Sequence, residues 1–147
     1  MQYLRFLTGI ALIAVVLLSG CGDAGVKTYP VRGRVEFADG KPVKYGRIEF
    51  YHAEHDLTSR GTIEADGSFQ LGTYSKDDGA PAGSHAVAIT QLIMSGEAGA
   101  MPHDHGKHVD GQYADYKTSG IEFTVDATKD NEFQIVVDSA PTKSRRR

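Results

Sequence analysis

The sequence predicts an all-β protein, an antiparallel two-sheet β-sandwich of about seven strands, preceded by a signal peptide. Apolar and polar residues alternate over about seven short segments, and tight-turn pairs such as Asp39-Gly40 and Asp66-Gly67 separate several of them. After residue 21, no stretch has the period of an amphipathic helix, so we expect no helix there. Seventeen glycines and many β-branched and aromatic residues also favour short strands joined by turns.

The predicted strands follow one another closely along the chain. In the first, Val31, Val35 and Phe37 alternate with charged residues, which indicates one buried and one solvated face. The clearest local signal is a hairpin over 62–71 with its turn at Asp66-Gly67. The predicted strands are 31–37, 47–51, 59–64, 68–73, 85–93, 121–125 and 133–137.

The most apolar predicted strand is 85–93. We expect Val87, Ile89 and either Leu92 or Ile93 to point into the core. The segment that follows, 94–112, has no usable period and is longer than ordinary connections, which is typical of functional or disordered segments.

The N-terminus reads as a secretory signal. Arg5 precedes an apolar run over 6–18, which is shorter than the roughly 20 residues that a membrane-spanning helix needs. Small residues then lead into the only cysteine, in Leu18-Ser19-Gly20-Cys21. This stretch resembles the lipobox of bacterial lipoproteins. The resemblance implies cleavage before Cys21 and acyl chains, such as palmitate, on that cysteine, and two or more chains give stable membrane attachment.

Four regions follow from these signals. We expect a lipoprotein signal peptide at 1–20, the lipidated cysteine and a tether at 21–30, the sandwich at 31–138 and a basic disordered tail at 139–147. A chain of 147 residues without its first 20 is long enough for one domain. The residue after the cysteine is glycine rather than an acidic residue, which in lipoproteins favours the outer membrane or cell surface over the inner membrane.

Charge and cysteine content argue against a nucleic-acid-binding protein and against a disulfide-stabilised domain. Arg5 is the only charged residue of the first 20, so its removal leaves 15 basic and 19 acidic residues, a net charge of about −4. This mild acidity argues against a nucleic-acid partner. With Cys21 lipidated, the domain has no thiol for a disulfide and must be stable through its core alone.

Several short motifs follow one another along the chain. They are Val31-Arg32-Gly33-Arg34-Val35, Asp39-Gly40-Lys41-Pro42-Val43, Gly46-Arg47-Ile48-Glu49-Phe50, Ala65-Asp66-Gly67-Ser68-Phe69, and Pro81-Ala82-Gly83 followed by Ala86-Val87-Ala88-Ile89. With the lipobox, these motifs in this order make the chain resemble small bacterial lipoproteins with a carboxypeptidase-regulatory-like domain, also described as transthyretin-like or prealbumin-like. The resemblance covers about 31–138 and implies a sandwich scaffold without a catalytic set of residues.

Histidines supply the sharpest candidate site. His103, His105 and His108 lie within six residues, and imidazoles suit zinc, copper and nickel. We expect His52 and His55 to be able to add ligands from another loop. The alternative is a solvated polar loop, because the intervening glycine and lysine leave the segment flexible and positively charged. No cofactor is predicted.

Three further features allow both a binding and a structural interpretation. Asp77-Asp78-Gly79 lacks the spacing of a calcium loop and is better explained as a turn. Tyr113 and Tyr116 form either an aromatic binding surface or caps on the open end of the sandwich. The tail 145–147, three arginines, either contacts anionic surfaces or is disordered.

Enzyme motifs are absent from the sequence. It contains no Gly-x-Ser-x-Gly, no Gly-x-x-x-x-Gly-Lys and no His-Glu-x-x-His, so we expect no catalysis. The predicted function is that of a membrane-anchored extracytoplasmic lipoprotein, a structural or interaction module for an envelope protein or cell-wall polymer. The alternative is a small-ligand or transition-metal-binding lipoprotein that uses loop 103–108.

Overall fold

The computed structural model describes residues 25–92 and 106–141. In these ranges the strands are β1 Thr28–Tyr29, β2 Val31–Phe37, β3 Gly46–His52, β4 Leu57–Ile63, β5 Ser68–Gln70, β6 Ala80–Pro81, β7 Gly83–Gln91, β8 Ile121–Val125 and β9 Asn131–Val137. Two helices of four residues each are also present, a 3-10 helix at Gly111–Ala114 and α1 at Tyr116–Ser119. The predicted signal peptide, Cys21, His103, His105 and the arginines at 145–147 lie outside the described residues.

The strands form two main sheets and a short ribbon. One sheet has the order β5-β2-β9, the other has the order β4-β3-β7-β8, and β1 pairs with β6. The prediction of an all-β sandwich is confirmed. One ladder departs from antiparallel pairing, since β2 and β9 run parallel over all seven residues of each strand. This direction is possible because β9 follows β8 of the opposite sheet through the turn 126–130 rather than forming a hairpin with β2.

The core lies between the two sheets and is built by the predicted alternation. In β3 the side chains of Ile48, Phe50 and His52 point inward, while those of the residues between them lie at least partly in solvent. Phe50 is fully buried, and its ring lies 6.3 Å from that of Phe69 and 6.0 Å from that of Phe133, both in the opposite sheet. These aromatic contacts join the sheets. The core contains Val31, Val35, Phe37, Val43, Ile48, Phe50, Ile63, Phe69, Leu71, Ala80, Val87, Ile89, Tyr113, Val125, Ile135 and Val137.

The two short helices are a correction to the sequence analysis, which predicted none. Asp110 and Asp115 start them, because each carboxylate accepts a hydrogen bond from a backbone N–H two residues later. Gly120 ends α1 in the left-handed conformation, with φ at 64°. Four residues are too few to produce a periodic pattern, so only the caps could have indicated these helices. In the described ranges, no helix is long and apolar enough to cross a membrane.

Residues of the predicted tether and of the predicted tail form β-bridges with the domain. Thr28–Tyr29, at the end of the predicted tether, pairs with Ala80–Pro81. Ser139, at the start of the predicted tail, bridges to Val109. Leu92 is 54% exposed and so is not a core residue, and Ile93 lies outside the described residues.

The position of Gly33 gives a stability prediction. A side chain on Gly33 would overlap the Phe133 carbonyl oxygen and come within 2.7 Å of the Phe69 ring. We expect Gly33→Ala to lower the free energy of unfolding by about 1–3 kcal/mol, because the cross-sheet packing must shift. Gly111→Ala is the matched control, since a side chain there meets nothing within 4 Å. Urea unfolding checks both variants, and equal midpoints would contradict the packing argument.

Candidate functional site

The structure separates the histidines that the sequence analysis grouped. His108 is exposed. The N–H of the next residue, Val109, donates to the side chain of Gln91. Gln91 pairs with Gly46, the first residue of β3, so His108 lies near that end of the sheet. His52 ends the same seven-residue strand, which puts it roughly 20 Å away. His52 and His55 therefore do not share a site with His108, and the expectation that they add ligands to that loop is wrong for His108.

His52 and His55 instead form a cluster with Glu54, which we call the histidine turn. The three residues lie within the sequence His52-Ala53-Glu54-His55, where β3 ends and the chain turns towards β4. One ligand atom from each of the three lies within 4.8 Å of the other two. His52 is buried at 3% exposure, whereas Glu54 and His55 are exposed. The turn thus presents one imidazole and one carboxylate at the surface, next to the buried imidazole of His52.

The proton position on His52 follows from its hydrogen bonds. Its Nε2 lies 3.1 Å from the carbonyl oxygen of Ala82, which can only accept, so Nε2 carries the proton. Nδ1 then has a free lone pair. It accepts a long hydrogen bond, 3.4 Å, from the backbone N–H of His55. The lone pair of His52 is therefore directed towards the histidine turn.

A third histidine, His85, lies beside His52. The two rings meet edge to face, with centroids 4.8 Å apart. His85 is fully buried, and its Nδ1 donates to the Gly83 carbonyl oxygen at 3.0 Å. Burial lowers the pKa of His85 and the neighbouring His52 imidazole lowers it further, which outweighs the hydrogen bond to Gly83, so the pKa lies below its usual value. Among the described residues, His85 Nε2 is the only buried side-chain nitrogen or oxygen without a hydrogen-bond partner.

Sequence reasoning missed this arrangement for two reasons. The spacing of His52, Glu54 and His55 was a usable signal, but the two histidines were predicted to add ligands to loop 103–108. His85 gave no signal, because it occupies an inward position of β7 where the alternation predicts an apolar residue. Only the pairing of β3 with β7 brings it next to His52.

The second candidate feature is an open groove of about 1310 Å³ that has lining residues in both sheets. Its apolar lining residues include Gly33, the buried Phe69 and the partly exposed Phe133. The charged residues that line it are Arg32, Arg34, Arg47, Arg60, Lys76, Glu36, Glu64, Asp77 and Glu132. Because these residues come from several strands and one loop, no local sequence pattern could have identified the groove.

Two of the groove arginines have no ion-pair partner. Arg32 pairs with Glu132, and Arg60 pairs with Glu49, each at 3.1 Å. Arg34 and Arg47 form no salt bridge with any residue in 25–92 or 106–141. A guanidinium presents five N–H donors in a planar fork that matches a carboxylate. The groove therefore offers two guanidinium groups to an anionic ligand.

The aspartates at 77–78 lie in a turn. The Asp78 carboxylate accepts hydrogen bonds from the backbone N–H groups of Thr73, Tyr74 and Ser75, at 2.6, 3.1 and 3.0 Å. Burial raises the pKa of Asp78, but these N–H donors outweigh it, so the pKa lies below its usual value. The carboxylate thus satisfies the backbone of its own loop.

The two tyrosines differ: Tyr113 packs into the core, whereas Tyr116 lies over the outer face of β3, where its ring contacts that of Tyr51 at 5.4 Å. Tyr113 is buried, and its hydroxyl donates to the Asp138 carboxylate and accepts from the Asp138 N–H. The Tyr116 hydroxyl donates to the Glu49 carboxylate at 2.6 Å. Burial and the negative Glu49 raise the pKa of Tyr116 to about 12. Burial also raises the pKa of Glu49, but hydrogen bonds from Tyr116 and Arg60 outweigh it and leave the pKa lowered.

The Tyr116–Glu49 hydrogen bond gives a second stability prediction. We expect Tyr116→Phe to lower the free energy of unfolding by about 1–3 kcal/mol, because it removes a donor to a partly buried carboxylate. Tyr51→Phe is the control, since the Tyr51 hydroxyl donates to the exposed Asp56. It should cost less than about 0.5 kcal/mol. Chemical denaturation at neutral pH measures the free energy of unfolding of both variants. Similar decreases for Tyr116→Phe and Tyr51→Phe would contradict the prediction.

The pKa values of Glu49 and Tyr116 determine how the stability lost in Tyr116→Phe depends on pH. The lowered pKa of Glu49 contributes stability that is present above its usual value of 4.5 and is lost as the pH falls through the folded-state pKa. The raised pKa of Tyr116 contributes stability that is present below 10 and is lost as the pH rises through about 12. The gap between wild type and Tyr116→Phe should therefore be widest between about pH 5 and 10 and narrow on both sides.

Comparison with known proteins gives no match to any family model, any curated protein or any solved structure. The fold and both candidate sites are thus described from the residues of this chain. The resemblance to carboxypeptidase-regulatory-like lipoproteins stays a prediction.

Proposed function

We propose that the protein is a membrane-anchored extracytoplasmic lipoprotein whose sandwich is an interaction module without catalytic activity. In this proposal the acyl chains on Cys21 hold the chain at the outer membrane or cell surface, and the domain belongs with the carboxypeptidase-regulatory-like lipoproteins that it resembles. The sequence around Cys21 and the order of the motifs over 31–138 support these two statements.

The observation that carries the proposed interaction is the groove with Arg34 and Arg47, which form no salt bridge within 25–92 and 106–141. Arg34 comes from β2 and Arg47 from β3, so the two sheets each contribute one guanidinium. Phe69 and Phe133 are also among the lining residues, and Phe133 is partly exposed. Apolar surface and a small number of oriented polar groups are the usual components of a specific binding site.

The chemistry of the lining favours a polypeptide over a uniformly charged polymer. Four acidic side chains accompany the five basic ones, at Glu36, Glu64, Asp77 and Glu132. A polyanion would be repelled by these carboxylates, whereas an extended peptide can place an acidic side chain at Arg34 and Arg47 and donors elsewhere. We therefore infer that the partner is an extended, carboxylate-bearing segment of another envelope protein.

A crosslinking experiment tests the groove. A photo-crosslinking amino acid at Thr62, in the groove, should capture one protein in intact cells, and the same amino acid at Lys117, on α1, should not. Arg34→Glu combined with Arg47→Glu should reduce the capture at least about tenfold, because the charge is reversed at both unpaired sites. A control with Lys117→Glu and Lys129→Glu makes the same charge change away from the groove.

The outcomes separate the groove from the rest of the surface. Equal capture from positions 62 and 117, or capture that survives reversal of both arginines, would sink the proposal. A synthetic peptide of the captured segment should bind the purified protein more weakly as salt concentration rises. Capture of a polysaccharide instead would make the partner a cell-wall polymer and contradict the inferred peptide.

The anchor has its own test. We expect Cys21→Ser to abolish incorporation of labelled palmitate, because the sequence contains no other cysteine. The variant with both arginines reversed should incorporate the label as the wild type does. Labelling of the Cys21→Ser protein would contradict lipidation at that position and would leave the groove proposal unaffected.

A further inference from the structure

We propose that His52, Glu54 and His55 form a binding site for a divalent transition-metal ion of the zinc and copper class. This site is independent of the groove and of the His108 loop. Three observations support it: the donor set, the orientation of His52 and the exposure of the two ligands that must move.

The donor set matches that class of ion. Two imidazole nitrogens and one carboxylate oxygen are common ligands of zinc, and imidazole also suits copper and nickel. Calcium and magnesium prefer sites built from oxygen, so two histidines disfavour them. Three protein ligands leave a tetrahedral ion one open position, which at this exposed turn water or a partner group fills.

His52 is already oriented as a ligand. Its Nε2–H is held by the Ala82 carbonyl at 3.1 Å, and metal-binding histidines ordinarily hold their second nitrogen in this way. Gly83 permits the close approach, since a side chain there would come within 2.5 Å of His52 Nε2. The lone pair on Nδ1 faces the other two ligands, and the bond that it accepts from the His55 N–H is long and weak.

His85 packs against His52 from the core. Its ring meets that of His52 edge to face, and its centroid lies 5.9 Å from that of Phe50. Because the position is fully buried, water does not reach His52 from that side. We assign His85 a positioning role and no direct bond to the ion.

Binding requires a rearrangement of the exposed ligands alone. The rings of His52 and His55 are stacked, 4.6 Å apart and 21° from parallel. Imidazole lone pairs lie in the ring plane, so two nearly parallel rings cannot both direct a lone pair at one ion. His55 and Glu54 are exposed in a turn, so their side chains can rotate at low cost while His52 stays fixed. The metal then replaces the weak hydrogen bond to His52 Nδ1.

The test uses the purified full-length chain in detergent, prepared with a tag that contains no histidine. Zinc and copper are titrated by calorimetry, and cobalt absorption reports the coordination geometry. To remove the other histidine loop, His103→Ala, His105→Ala and His108→Ala are combined as a background variant. In that background one equivalent of metal should still bind with the wild-type affinity for this site.

Changes to the exposed ligands should then remove binding. His55→Ala and Glu54→Gln in the background variant should each weaken the affinity at least about tenfold, since each deletes one of three ligands. Asp56→Asn is the matched control, because Asp56 lies in the same turn but outside the cluster. Its φ of 49° is left-handed, a conformation that asparagine adopts readily, so the substitution adds no backbone strain. Its affinity should not change. Metal should also raise the melting temperature of the control and leave that of His55→Ala unchanged.

Each alternative outcome overturns the proposal. If the background variant binds no metal, the site lies in loop 103–108 instead. If His55→Ala and Glu54→Gln bind as the background does, the histidine turn is not the ligand set. Circular dichroism of the variants shows whether they fold, and both substitutions are at exposed positions. None of these outcomes depends on the groove or on lipidation.

Discussion

The burial of Phe50 between the sheets is the interaction on which the rest of the structure depends. Its ring contacts Phe69 and Phe133 across the sandwich and lies against Phe123 and His85 in its own sheet. Each of these contacts combines apolar burial with the tilted or offset ring geometry that aromatic pairs prefer. The domain has no disulfide among its described residues, so this cluster replaces a covalent link between the sheets.

Glycine makes that packing possible. The ladder places Gly33 of β2 directly between Phe69 and Phe133 of the neighbouring strands. The missing side chain leaves room for both rings, so a position that weakens an isolated strand strengthens this sandwich. The same ladder brings Arg32 and Arg34 to the opposite face of β2, where they line the groove. The groove thus derives its shape from core packing.

The sequence was sufficient for features that depend on neighbours along the chain. Alternation in 31–37 and 47–51 predicted the faces of β2 and β3, and Asp66-Gly67 predicted the turn before β5. It was insufficient where distant segments meet. The parallel pairing of β9 with β2 depends on which sheet the chain enters after β8, and no local pattern records that choice. The placement of His85 beside His52 depends in the same way on the register of β3 with β7.

Strand β3 explains why one small sheet can serve two separate sites. Successive side chains of a strand point to opposite faces. The inward set ends in His52, at the histidine turn, and the outward set includes Arg47 in the groove and Glu49 beneath Tyr116. A change on one face leaves the backbone and the other face in place, so the free-energy effects of groove and turn variants add. Because Arg47 and His52 lie on opposite faces and near opposite ends of β3, we expect the two proposed sites to bind independently of each other.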